Sequence, residues 1–218
     1  MIQYIENFVS PFLLNDIKKE ILESKTFLWQ LRSETASQYN APDFACLYDE
    51  KTKDSPQLIH IVEPESKDMS VISPLIYKIV ETVGYEVQFQ RVKINLLWPD
   101  ITVKDKELYH VPHADHGRSD AKTLIYYIND ADGDTVIFKN RWTGVDPGQL
   151  IVEKRIKPKA GSAVLFDSNM YHASSSPTTN IRSVINFIFW PKTIPDVTND
   201  DLPPLPTNIP IAKGFDKL

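Results

Sequence analysis

His110, His113 and His116 crowd three of the five histidines of this 218-residue sequence into seven positions, and His113 stands two residues before Asp115. On an extended strand, side chains at i and i+2 share a face about 6–7 Å apart along the chain, so an imidazole and a carboxylate so placed can converge on one metal ion. Alone the pair is weak: five histidines and 18 aspartates supply about 0.4 such pairs by chance. A second cluster strengthens it. His172 follows the apolar run Ser162–Phe166, and ten residues later Arg182 opens another, Ser183–Trp190. Two histidines and a carboxylate can occupy one face of an octahedral metal and leave three positions open. That suits a non-haem Fe(II) that must also hold a chelating co-substrate and O₂. An arginine on a neighbouring strand offers a planar fork for a carboxylate.

The elements that must position these groups differ along the chain. Ser10-Pro11 followed by Phe12, Leu13, Leu14, Ile17, Ile21 and Leu22 predicts an amphipathic helix, capped by Ser10. Ser73-Pro74 opens a second such pattern through Ile76, Ile79, Val80 and Val83, with Gly84 placed to end it. Between them, residues 33–57 are polar and irregular and read as a long loop over a site. From Tyr85 the texture becomes β: strands are expected at Glu86–Leu97, Thr123–Ile128, Thr135–Phe138, Gln149–Glu153, Ser162–Phe166 and Ser183–Phe189, which suggests a sandwich or barrel. The division expected is a single domain over 1–218: helical support to about 84, a β core over about 85–190, and a proline-rich tail from 191. In that tail Pro203-x-x-Pro206 reads as a rigid extension ahead of a polyproline ligand.

Composition narrows the field. The net charge of −5 and pI near 5.5 argue against a broad polyanion-binding surface, so no nucleic acid or membrane partner is expected. A single cysteine, Cys46, allows no internal disulfide and no thiolate cluster. The longest apolar run, Val184–Trp190 interrupted by Asn186, is far short of the roughly 20 residues of a membrane span, and the N-terminus carries no secretory pattern. The expectation is a soluble, cytoplasmic protein.

From about Arg91 to Trp190 the sequence resembles the Fe(II)/2-oxoglutarate-dependent dioxygenases, most closely their prolyl 4-hydroxylase-like branch. The resemblance rests on His113-Ala114-Asp115, on Thr123-Leu124-Ile125-Tyr126-Tyr127-Ile128-Asn129, and on Asp132-Gly133-Asp134-Thr135-Val136-Ile137-Phe138. It continues through Pro158-Lys159-Ala160-Gly161 to Phe166, then His172 and Arg182, in the family's order over roughly 100 residues. The family usually has Gly-Gly where this chain has Asp132-Gly133, and many members carry lysine where Arg182 stands. The resemblance implies a mainly β fold, a double-stranded β-helix (jelly roll) with flanking N-terminal α-helices. It implies Fe(II) held by His113, Asp115 and His172, and 2-oxoglutarate as co-substrate with its far carboxylate on Arg182 and Tyr127. Asn95 is a further candidate for the 2-oxoglutarate pocket.

The implied activity is hydroxylation of a C–H bond, with O₂ consumed and succinate and CO₂ as co-products. The substrate would be a peptidyl residue such as proline, or a small amino-acid-like molecule. Two other readings stand beside it: a cupin-like metal-dependent hydrolase or isomerase on the same ligands, and a non-catalytic jelly-roll binding module. His110 and His116 are read as solvent-facing or supporting residues rather than ligands. His60, among Leu58, Ile59, Ile61 and Val62, is read as structural.

Overall fold

A long strand of alternating polarity, Gln90-Arg91-Val92-Lys93-Ile94-Asn95-Leu96, organises the molecule. The computed structural model describes residues 1–36 and 46–192. Its elements are β1 (Gln3–Ile5), α1 (Pro11–Ile21), β2 (Gln30–Arg32), β3 (Gln57–Ile61), α2 (Met69–Val83), β4 (Val87–Leu97), β5 (Lys122–Tyr127), β6 (Thr135–Arg141), β7 (Val152–Ile156), β8 (Ala163–Asp167), β9 (Met170–Ser174) and β10 (Arg182–Pro191). Seven strands form one antiparallel sheet in the order β1-β8-β5-β10-β4-β3-β2, and three form another, β7-β6-β9.

Strand parity gives the large sheet two unlike faces. On one, Ile185 lies between Ile94 and Tyr126, and Phe187 between Val92 and Leu124. These fully or nearly fully buried residues form one core with Ile17 and Ile21 of α1 and Ile72, Leu75 and Ile79 of α2. Each such side chain contributes about 1.5–3 kcal/mol on burial. On the other face Val184 lies between Asn95 and Tyr127, Asn186 between Lys93 and Ile125, and Ile188 between Arg91 and Thr123. That face meets the small sheet: Ile125, Tyr127 and Val184 pack with Ile137, Ile156 and Met170. Two facing antiparallel sheets with two helices outside one of them are consistent with a jelly roll. None of the described helices is long and apolar enough to cross a membrane.

Ser10 caps α1, its Oγ accepting from the Leu13 N–H at 3.3 Å, and Pro11 occupies the first helical position. Helix α2 departs from expectation. It begins at Met69 rather than after Ser73, so Pro74 lies inside it, without an N–H to offer the Ser70 carbonyl. Burial of Val71 and Ile72 against the sheet carries the helix back past the proline. Gly84, at φ +78°, ends it as expected. Strand β7 lies three residues later than the expected Gln149–Glu153, and β1, β2, β3 and β9 had no forecast. His60 is structural: its Nδ1 pairs with the Leu28 carbonyl at 2.8 Å and its Nε2 with Asp68 at 3.1 Å. Pro203-x-x-Pro206, with the rest of the tail beyond residue 192, lies outside the described residues, as do residues 37–45 of the expected loop.

The turn between β5 and β6 is fixed on both sides. The Asp132 carboxylate accepts from the Thr178 and Thr179 N–H groups at 2.7 and 3.2 Å, and the Gly133 carbonyl accepts from Arg182 Nε at 2.9 Å. A Cβ on Gly133 would sit 2.7 Å from Pro177 N and closer still to the Ser175 carbonyl oxygen, both backbone atoms. Gly133→Ala is therefore expected to destabilise the protein by about 1–3 kcal/mol in urea unfolding. Gly117→Ala, whose Cβ meets only Trp142 at 3.6 Å, serves as the near-neutral control.

Candidate metal centre

His113 and His172 face each other as a bonded antiparallel pair: the His113 N–H donates to the His172 carbonyl at 3.0 Å and the His172 N–H to the His113 carbonyl at 2.9 Å. Residues paired in this way put their side chains on one side of the ribbon, and the two rings lie 4.5 Å apart. Two residues on, the Asp115 N–H bonds the Ser168 carbonyl at 2.9 Å, which brings the carboxylate to the same side. One nitrogen or oxygen from each of His113, Asp115 and His172 lies within 4.8 Å of the others.

Both rings are oriented by a carbonyl two residues upstream. His113 Nδ1 donates to the Val111 oxygen at 3.1 Å and His172 Nδ1 to the Met170 oxygen at 3.2 Å. Carbonyls only accept, so the protons sit on Nδ1 and the Nε2 lone pairs point into the site. His172 Nε2 is buried without a hydrogen-bond partner. It stands 3.3 Å from Asp115 Oδ2, and His113 Nε2 stands 3.9 Å from Oδ1. Lone pairs converging in this way repel unless a cation lies between them. Ligands about 2.1 Å from one ion at right angles are about 3 Å apart, so the triad fits a metal of that coordination. Burial, with the His172 ring adding to it, lowers His113 to about 3 and keeps it neutral. Burial opposes ionisation of Asp115, but the charged and hydrogen-bonding groups around it, the Arg91 guanidinium among them, outweigh it and hold the carboxyl well below its usual range.

Arg182 lies across a small cavity of ≈ 30 Å³ whose lining includes His113, His172, Asn95 and Thr135. Its guanidinium is buried, with Nε on the Gly133 carbonyl and Nη2 on Thr135 Oγ1 at 2.8 Å. Tyr127 donates its hydroxyl to the same Thr135 oxygen at 2.8 Å, while Tyr126 turns to the helical face. Among the described residues no carboxylate pairs with Arg182. Asp134 acts on it only through space, and a buried cation without a directly bonded counter-charge is costly, so the slot suits an anion. Asn95 lines the same cavity; its Nδ2 donates to Gln57 Oε1 at 3.2 Å and its Oδ1 has no partner.

No protein-family model matches the sequence, and no curated protein does. Solved structures do match. The non-heme alpha-ketoglutarate-dependent epimerase SnoN from nogalamycin biosynthesis aligns over 93% of this chain and 88% of its own, at 10% identity and a TM-score of 0.58. The Trichoplax adhaerens prolyl hydroxylase, in complex with a hypoxia-inducible-factor peptide, covers 87% and 83% at 13% identity and a TM-score of 0.54. HygX from Streptomyces hygroscopicus, with nickel and 2-oxoglutarate bound, covers 88% and 84% at 12% identity and a TM-score of 0.52. The chain has their fold.

Within this fold, two residues without an expected role neighbour the triad. Arg91 Nη2 pairs with Asp115 Oδ1 at 3.0 Å, and Thr123 Oγ1 donates to Oδ2 at 2.9 Å, so both carboxylate oxygens are held. Thr123 opens the family-like segment Thr123–Asn129, whereas the signal for Arg91 is parity: the two sit in one row across the sheet, two positions from Lys93 and Ile125. Of the two alternatives for His110, the solvent-facing one fails. It is buried, and Ser174 and Ser176 pair with its two ring nitrogens at 2.8 and 2.9 Å. Burial, helped by Arg182, lowers it to about 3, whereas the unfolded chain titrates near 6.5. Between these values the unfolded chain binds a proton that the folded one refuses, so stability falls as pH drops from about 6.5 to 3. His110 contributes up to about 1.4 kcal/mol per pH unit to that fall. In His110→Gln the pH dependence of the unfolding free energy, followed by urea titration across the window, should be shallower by up to that amount.

Proposed function

We propose that the chain is an Fe(II)- and 2-oxoglutarate-dependent dioxygenase that hydroxylates a C–H bond of a peptidyl residue or of a small amino-acid-like substrate. The observation that carries this is the pairing of two features across one cavity. On one side stand three convergent lone-pair donors; on the other, a buried guanidinium that no carboxylate pairs with directly among the described residues. A metal hydrolase needs the first and has no use for the second. A dicarboxylate that chelates the metal at one end needs both.

In this reading His113, Asp115 and His172 hold Fe(II) on one face. Arg182 binds the far carboxylate of 2-oxoglutarate as a fork, while Thr135, held by Tyr127, fixes that fork in place. Asn95 lines the same cavity, and its side-chain carbonyl oxygen has no partner. Arg91 and Thr123 each hold one Asp115 oxygen and so limit the carboxylate's rotation. The chemistry that Fe(II) supplies there is oxidation by O₂, coupled to decarboxylation of 2-oxoglutarate to succinate and CO₂. The SnoN, prolyl hydroxylase and HygX folds support this reading, and the bound 2-oxoglutarate of HygX agrees with it.

The test is anaerobic addition of Fe(II) and 2-oxoglutarate to the purified protein, followed by its visible spectrum. A weak charge-transfer band typical of such chelates is expected, and its absence from the wild type removes the proposal. His113→Ala should abolish the band. Arg182→Ala should leave metal binding intact and weaken 2-oxoglutarate binding about 10- to 100-fold, the loss of one buried charge-assisted contact.

A further inference from the structure

A second, larger cavity of ≈ 400 Å³ opens on the outer side of His113 and Asp115. That volume lies at the small end of the range for ligand pockets. Ile59 and Ile61 of β3 contribute apolar surface to it. Three cations also line it: Arg32 from β2, and Arg91 and Lys93 from β4. Two carboxylates face them, Asp115 and Glu34. Asp115 is already engaged by Arg91 and belongs to the triad. Among the described residues, Arg32, Lys93 and Glu34 form no ion pair, so with Lys93 protonated the described lining carries a surplus of one positive charge. Burial lowers the Lys93 ammonium to about 7, and the cations Arg91 and Arg32 push the same way. A group so placed gains its charge most readily when an anion arrives beside it.

We propose that the pocket holds a small substrate bearing a single carboxylate, bound by Arg32 and Lys93, with its aliphatic part on Ile59 and Ile61 and a C–H bond turned towards the triad. A carboxylate matches the surplus of one charge, whereas a phosphate dianion would exceed it. The proposal rests on the dioxygenase reading and narrows it, away from an internal peptide residue without an acidic side chain, such as proline, which brings no carboxylate of its own.

The experiment is calorimetric binding of a panel of N-acetyl-L-amino acids and their amides. It is run anaerobically on protein saturated with Fe(II) and 2-oxoglutarate, so that Arg182 is occupied and turnover is blocked. At least one acid should bind about tenfold or more tightly than its amide, a preference removed by Arg32→Leu and by Lys93→Met. If no acid outbinds its amide, if the amides bind better, or if the preference survives both substitutions, the proposal is overturned. The two readings fail separately. Loss of the charge-transfer band in the wild type refutes the dioxygenase, and the same panel on metal-free protein still reports whether Arg32 and Lys93 hold an anion.

Discussion

Two backbone hydrogen bonds, one from His113 to His172 and one back, set the geometry on which the site depends. They tie the segment after β4 to β9 of the small sheet and fix two imidazoles side by side before any metal is considered. The upstream carbonyls of Val111 and Met170 then fix each ring's tautomer. The donor set is therefore built from main chain, the least mobile material in a sheet, and the side chains have little freedom left to lose when an ion arrives.

The same arrangement is costly to the fold. His172 Nε2, Asn95 Oδ1 and Asn186 Oδ1 are all buried without partners on the inner side of the sheets, and Arg182 is a buried cation there. Unsatisfied buried polar groups cost about 1–3 kcal/mol each. Asn95, Asn186 and Arg182 lie on one face of β4 and β10, with His172 contributed by β9, while the other face of those strands is almost wholly hydrocarbon packed on α1 and α2. The helical face supplies the stability that the inner face gives up. Such a division is expected where a sheet must hold a polar site at its centre.

How far this was legible depended on which signals are local. The triad and Arg182 could be read because residue type and order carry them. Tyr127 could be placed by parity, since Thr123, Ile125 and Tyr127 alternate with apolar residues turned to the helices. Strand β9 escaped notice although it carries His172: five residues after a short turn, Ser168-Asn169, give too little alternation to register. The three-residue strands β1 and β2 escaped for the same reason. Arg91 and Lys93 were hidden in another way. A polar–apolar alternation such as Arg91-Val92-Lys93-Ile94-Asn95-Leu96 ordinarily marks a solvated face, and only residues remote in sequence, among them Glu34 and the segment His113–Asp115, make Arg91 and Lys93 part of the wall of a cavity. Pro74 misled because a proline at a helix start is a local rule, while burial of Val71 and Ile72 is a tertiary effect.

Charge accounting joins the two cavities. Near the triad the fixed charges are Asp115, negative, and Arg91 and Arg182, positive, a sum of +1. In the proposed reading a divalent ion and a dianionic 2-oxoglutarate add nothing net, so the loaded centre still carries +1 at low dielectric. Beside it the outer pocket adds Arg32 and Lys93 against Glu34. Like charges in and beside a cavity repel, and that repulsion adds to the larger effect of burial in lowering the Lys93 ammonium to about 7. Binding an anion relieves it, because an anion favours the protonated Lys93 and pairs Arg32 at once. A neutral substrate would leave the repulsion in place, so the inner site's own electrostatics favour an acid in the outer one.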